Sequence, residues 1–201
     1  MVKECARCRT KDCYEGRDCF SLRAEAEKAY TADERKSMKA SGKIEAEGYM
    51  RLTRLEEVMR YADEMGMHRL GLAFCIGLSN EARVIDKILS SNGFEVHSAC
   101  CKVCGIDKKK LGVRKLHGEH EKEAVCNPIG QALLLNRRGT DMNIIIGLCV
   151  GHDMIFTEHS EAPVTTLIVK DRVLSHNPAG AIYSAYYLEK RFKIDAESDR
   201  R

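Results

Sequence analysis

The chain has 201 residues, 44% of them hydrophobic, with 33 Lys+Arg against 30 Asp+Glu, 3 Pro and no Trp. That length allows one domain of ordinary size, or one domain plus a small appendage, and needs no disulfides to bury a core. A net charge of +3, with no stretch rich in both basic and aromatic residues, leaves no nucleic-acid footprint. The longest apolar runs, such as 144–150, fall far short of the roughly 20 residues a membrane span needs. The opening Met1-Val2-Lys3-Glu4-Cys5 is charged and lacks the apolar segment of a secretory signal. A soluble, cytoplasmic protein is expected, without nucleic-acid or membrane partners; its oligomeric state is left open.

The 10 cysteines are the informative excess. Cytosolic thiols stay reduced, so clustered cysteines there point to metal binding or redox chemistry rather than a disulfide framework. They form two groups separated by the cysteine-free stretch from Phe20 to Phe74. The first is Cys5, Cys8, Cys13 and Cys19, in a segment (1–20) with too few apolar residues to make a core. Four thiolates around one centre is the simplest way to order it. The spacing C-x2-C-x4-C-x5-C suits either a four-cysteine zinc site or a [4Fe–4S] cluster, and it lacks the paired form of a zinc ribbon.

Charged, helix-favouring sequence follows from Ser21 to Glu47, with a break expected at Gly42. Leu52, Leu55, Met59, Ala62 and Met65 then recur at helical spacing, and Gly66 is a natural stop. This helical region (21–66) precedes an alternation of short apolar runs and helices over 67–201. Strands are expected at Leu70–Ile76, Phe94–Ser98, Asn143–Leu148 and Thr165–Lys170. Helices are expected at Asn80–Leu89, capped by Ser79 or Asn80 and ended by Asn92-Gly93, then from Asn127-Pro128 to Asn136. Two more are expected at Gly151–Phe156 and, after Asn177-Pro178, at Ala179–Lys190. The polar stretch Gly105–Glu123 reads as a surface flap, with the run Lys108-Lys109-Lys110 solvated and His117 and His120 exposed among Glu119, Glu121 and Glu123. His68, His97 and His159 carry no functional expectation.

Near-continuous apolar strands bracketed by helices imply an α/β fold. The expected form is a Rossmann-like, roughly four-stranded parallel sheet with helices on both faces, preceded by the small Cys-rich segment. No GxGxxG or Walker loop occurs, so dinucleotide binding is not expected.

On that framework the second cysteine group falls at strand ends. Cys75 ends the first strand, Cys101 and Cys104 follow the second, Cys126 precedes the Asn127-Pro128 helix start, and Cys149 ends the third. The carboxyl ends of parallel strands share one edge, where open α/β folds place ligands. These five sulfurs can therefore meet although they are far apart in sequence. Cys100 reads as structural, and packing as small hydrophobes is the alternative for the others, Cys75 above all. His152 and Asp153 after the third strand, with Lys170, Arg172 and His176 after the fourth, reach the same edge. Lys170 and Arg172 can neutralise an anionic cluster or hold a carboxylate substrate, and His152 or His176 can shuttle protons. For His176 a purely structural turn is an equal reading.

Soft thiolates select an iron–sulfur cluster, zinc or Cu(I). Three functional readings follow. One is an iron–sulfur protein with redox or sulfur chemistry at the strand ends, served by a small-molecule substrate or a redox partner protein. Another is a zinc-binding interaction module without catalysis. The third is thiol redox chemistry with Cys101 and Cys104 as the pair.

The segments EAEGYMRLTRLEEVMRYADEMGMHRLGLAFCIGLSNEA (45–82), CNPIGQA, and LCVGHDMIFTEHSEAPVTTLIVKDRVLSHNPAGAIY (148–183) resemble the uncharacterised "metal-binding protein" family, catalogued as a domain of unknown function (1847). The N-terminal cysteine cluster is similar to that family's opening. The resemblance implies metal binding at Cys5, Cys8, Cys13, Cys19, Cys75, Cys101, Cys104, Cys126 and Cys149. It also implies an anaerobic setting suited to an oxygen-sensitive cluster, and it leaves the reaction unnamed.

Overall fold

The computed structural model describes residues 4–118 and 120–194, so Glu119 of the flap lies outside the described residues. Two compact units divide the chain, 1–50 and 51–201. In the first, short 3-10 turns at Cys5–Arg7 and Asp12–Glu15 are followed by helices α1 (Arg23–Ala29) and α2 (Ala32–Gly48). The helical stretch breaks at Tyr30-Thr31, and the expected break at Gly42 does not occur. Thr31 accepts from Glu34 N–H while the Glu34 carboxylate accepts from Thr31 N–H, a reciprocal cap that starts a new helix and carries it through Gly42.

The second unit opens with α3 (Arg54–Met65), started by the same device between Thr53 and Glu56 and stopped by Gly66 at φ +74°. The strands are β1 (Arg69–Phe74), β2 (Glu95–Cys100), β3 (Met142–Ile146) and β4 (Val164–Ile168), all parallel in the order β2-β1-β3-β4. Between them run α4 (Ser79–Ser91), α5 (Pro128–Arg138) and α6 (His152–His159), with α7 (Ala179–Tyr183) after β4. The expected α/β class and four-stranded parallel sheet are therefore observed. Asn127 caps α5 through Gly130 N–H as its Asn-Pro start suggested. By contrast, no side chain caps α4, because the Ser79 hydroxyl donates back to Ile76 O. The last expected helix is cut short at Tyr183, with a separate helical turn at Tyr187–Arg191.

Side chains of β1 and β3 alternate between two cores. Leu70, Leu72, Met142, Ile144 and Ile146 pack with Val58 and Ala62 of α3 and Ala82, Ile85 and Leu89 of α4. On the other side Ala73, Ala99 and Ile145 meet Ala132 and Leu135 of α5 and Phe156 of α6. Buried Asn143 is tied there by Thr140 and Ser160, and β1 has only Gly71 opposite it. A Cβ on Gly71 would fall 1.9 Å from Asn143 Oδ1. Register shifts at the end of the β3–β4 pair, where Ile146 pairs Ile168 and skips Leu167. Such an extra residue re-aims the chain that follows, here the segment carrying Lys170 and Arg172. Among the described residues no helix is long and apolar enough to cross a membrane.

Candidate functional site

The strands β1, β2 and β3 stop together, and the next residues of each turn toward one edge. Cys75 follows β1, Cys101 follows β2 and Cys149 lies in the loop after β3. Cys126 comes from the chain entering α5 and is drawn in because Asn127 N–H donates to Cys101 O at 2.8 Å. Cys75, Cys126 and Cys149 line one cavity of about 990 Å³, together with Lys102, Lys170 and Arg172. Cys101, 2% exposed, lies just beneath, in the core cluster that also holds Cys75.

Each of these sulfurs has its own electropositive partner. Arg172 Nη2 donates to Cys149 Sγ at 3.0 Å and Lys102 Nζ to Cys126 Sγ at 3.5 Å. Lys170 Nζ stands beside Cys75 Sγ: a Cβ added at Gly77 would be 3.9 Å from both atoms. Ile76 N–H donates to Cys101 Sγ at 3.3 Å. Hydrogen bonds and nearby cations favour thiolate, and burial opposes it. At Cys75 burial works upward, yet the Gly77 N–H and the Lys170 ammonium outweigh it and bring the thiol below its ordinary value. At Cys101 burial wins, and with the charges of Cys126, Cys75 and Cys100 it pushes the thiol up to about 12. The sulfurs in turn hold Arg172 more firmly protonated, the hydrogen bond to Cys149 first, with smaller contributions from Cys75 and Cys126.

Both candidate histidines line the same cavity. His152, the first residue of α6, is pushed below its ordinary value chiefly by burial; Asp153 opposes this, and the charges of Lys102 and Arg172 add to it. His176 accepts from Asp171 N–H on Nδ1, which places its proton on Nε2 when the ring is neutral. The turn Asp171–His176 is also knitted by Asp171 Oδ1, which accepts from Val173 and Leu174 N–H. The turn and the cavity-lining role thus coexist in one segment.

Other expected residues fall elsewhere. Cys104 is exposed at φ +70° and absent from the cavity wall, while Cys101 is buried, so the CxxC turn splits its two sulfurs between core and solvent. Asp153 uses its carboxylate on Met154 N–H and does not line the cavity. In the other unit Cys5, Cys8 and Cys13 are exposed and Cys19 half-buried. Among the described residues no three His, Cys, Asp or Glu gather closely enough to hold a single metal ion.

In the flap Lys109, Lys110, His117 and His120 are exposed as expected, and the departure from a solvated loop is at Lys108 and Glu123. Lys108 is buried and pairs with half-buried Glu123, while Asp107 and Ala124 form an antiparallel bridge. Lys108, Leu116, exposed His117 and Glu123 thereby wall the cavity. Sequence reasoning missed Lys102, whose only signal was its place directly after two cysteines. It also missed Gln131 of α5, fully buried, whose Nε2 donates to Phe74 O and Ala99 O just before the β1 and β2 cysteines.

A family model described as "Protein of unknown function (DUF1847)" matches residues 16–167. The match includes Cys19, the four converging cysteines and His152, and ends before Lys170. An uncharacterized protein of Methanocaldococcus jannaschii, MJ0455, is 53% identical over 189 residues, covering 93% of this chain and 97% of that protein. No solved structure matches.

Proposed function

The chain belongs to the DUF1847 family, and we propose that it is an iron–sulfur protein. In this reading Cys75, Cys101, Cys126 and Cys149 hold a cluster, and Cys5, Cys8, Cys13 and Cys19 hold a second centre. The observation that carries the reading is the convergence of four sulfurs, three from separate strand ends and Cys126 from the start of α5, each with its own cationic or N–H partner. The donor set fits the group. Cysteine thiolates are the ligands of [4Fe–4S] clusters, and sulfurs distributed around a cavity suit a centre of several metal atoms. Zinc would need its sulfurs about 2.3 Å from a single point. The N-terminal four occupy a short segment without a core, the kind of site whose order comes from metal binding itself.

Held by all four cysteines, such a cluster would supply one-electron redox chemistry; held by the three on the cavity wall, Cys75, Cys126 and Cys149, it would leave one iron open to a sulfur- or oxygen-bearing substrate. The protein's own groups do the rest. Lys102, Lys170 and Arg172 neutralise the thiolates and leave a positive rim where an anionic small molecule or a redox partner's donor group can dock. Neutral His152 and the Nε2–H of His176 are placed to accept and donate protons at the cavity wall. The flap, pinned by the Lys108–Glu123 pair, forms one side of the cavity. The reducing cytoplasm is the compartment this chemistry needs.

The test is anaerobic purification followed by iron, acid-labile sulfide and visible absorption measurements. A brown protein is expected, losing part of its iron and sulfide in Cys75→Ser/Cys149→Ser and a different part in Cys5→Ser/Cys8→Ser. A colourless protein carrying zinc and no sulfide overturns the reading.

A further inference from the structure

The Cys75–Cys101 pair stands apart from the other sulfurs. Phe74 and Cys100 are register partners on adjacent parallel strands, and Cys101 N–H donates to Phe74 O at 2.8 Å, so the ladder runs one step past them. Cys75 and Cys101 are thus the next partners, on the same sheet face, and both belong to one core cluster. Neighbouring strands lie about 4.7–4.9 Å apart, inside the roughly 4.4–6.8 Å Cα separation that disulfides span. The Cys101 sulfur sits 3.3 Å from Ile76 N, directly on the peptide that follows Cys75. The two differ in access. Cys75 opens on the cavity beside Lys170, whereas Cys101 is sealed beneath it.

We propose that, in the metal-free protein, Cys75 and Cys101 form a dithiol–disulfide couple that exchanges with small-molecule disulfides entering the cavity. The Cys75 thiolate attacks one sulfur of the disulfide RS–SR, breaking that bond, forming a Cys75–SR mixed disulfide and releasing RS⁻, which takes up a proton. The Cys101 sulfur then attacks Cys75 Sγ, expels the second RS⁻ and gives up its own proton. Two protein thiols are oxidised by two electrons and one RS–SR is reduced to two RSH. The CxxC pair Cys101/Cys104 is not used, since Cys104 is exposed and does not line the cavity. The oxidised form withdraws two of the four sulfurs at the strand ends, so the couple and metal loading exclude one another. The couple does not depend on the iron–sulfur reading, because any metal held there would be displaced in the same way.

The experiment uses the full-length protein, purified anaerobically and divided into an as-isolated portion and a chelator-treated portion. Each is exposed to glutathione disulfide, quenched and mapped by peptide mass spectrometry. The chelated portion should show the Cys75 peptide joined to the Cys100–Cys101 peptide, about 2 mass units below the sum of the two thiol forms, as the two-electron couple requires. Cys100→Ser should keep that link. Cys101→Ser should lose it and accumulate glutathione on Cys75. A link to Cys126 or Cys149 instead, persistence of the mixed disulfide in unsubstituted protein, or retention of the link in Cys101→Ser overturns the proposal. Should the variants fail to fold, the location of the link in unsubstituted protein still decides. Colour and sulfide in the as-isolated portion report separately on the iron–sulfur reading. A colourless protein that forms the link sinks that reading alone; a brown protein whose chelated form does not sinks this one alone.

Discussion

Replacing Gly71 with Ala should be severe alone and nearly free once Asn143 has also been shortened. The added Cβ would lie 1.9 Å from Asn143 Oδ1, 3.0 Å from its Cγ and 3.0 Å from Leu135 Cδ1. Asn143 cannot swing aside cheaply, because it accepts from Thr140 Oγ1 at 2.9 Å and donates to Ser160 Oγ at 2.8 Å. Giving up two hydrogen bonds costs about 2 kcal/mol, and overpacking adds about 1–3. Restricting the unfolded chain returns about 0.4–1 kcal/mol, so Gly71→Ala should destabilise by about 3 kcal/mol. Asn143→Ala loses the same two bonds and leaves a void, again about 3 kcal/mol. In the double variant the methyl added at position 71 occupies the vacated space and no bonds remain to break. Its cost should therefore stay near about 3 kcal/mol rather than about 6, a coupling of about 3 kcal/mol. Urea unfolding followed by far-UV circular dichroism measures this through midpoint shifts at constant slope. Costs that add to within about 0.5 kcal/mol would refute the picture of Gly71 as the space reserved for Asn143.

Gly147→Ala combines a left-handed backbone (φ +63°) with a Cβ 2.0 Å from Leu78 Cδ1; about 3 kcal/mol of destabilisation is expected in the urea assay and, on the iron–sulfur reading, a lowered iron content through the displaced Cys149 loop. Glu123 is held down at about 2 by the Lys108 ammonium and then by Leu116 N–H. Because its folded value lies below the ordinary one near about 4.3, its stabilisation is complete above that value and disappears as pH falls toward 2. Melting temperatures of Glu123→Gln and the unsubstituted protein should accordingly differ at pH 6 and converge near pH 2. On the iron–sulfur reading, Arg172→Ala removes the cation donating to Cys149 and should lower the reduction potential of the proposed strand-end cluster, with Arg172→Lys intermediate, as electrochemical titration would show. Thr53→Ala removes the hydroxyl that accepts from Glu56 N–H and donates to the Glu56 carboxylate, leaving only the backbone N–H bond to that carboxylate, and should cost about 1 kcal/mol in the same urea assay.

Much of the layer was legible because its signals are local. The Asn127-Pro128 helix start and the Gly66 stop are written in short stretches, and the apolar runs of β1 and β3 announce strands buried on both faces. Thr31-x-x-Glu34 is an equally local signal, yet Gly42 is the more conspicuous one, and a helix tolerates such a glycine once a cap drives it. The approach of Cys75, Cys101 and Cys149 follows from parallel topology, since strand ends share an edge whatever their order, whereas Cys126 joins them through the Asn127 N–H to Cys101 O bond before α5. What stayed hidden depends on partners distant in sequence. Nothing around Lys108 shows that Glu123 will bury it, and the CxxC spacing does not reveal that the turn sends Cys101 inward and Cys104 out. Gln131 looked like an ordinary polar helix residue because its two acceptors are carbonyls of separate strands.

The sulfur partners at the strand ends come from four stretches of chain that meet only after β1 has joined both β2 and β3. Cys5, Cys8, Cys13 and Cys19, by contrast, are close neighbours along a single short segment. On the iron–sulfur reading proposed above, biogenesis of the two centres runs on different clocks. The short segment needs only its own thiols to capture metal, while the sheet-edge sulfurs meet only in a nearly finished fold, so a slow-folding variant should emerge charged at the first and empty at the second.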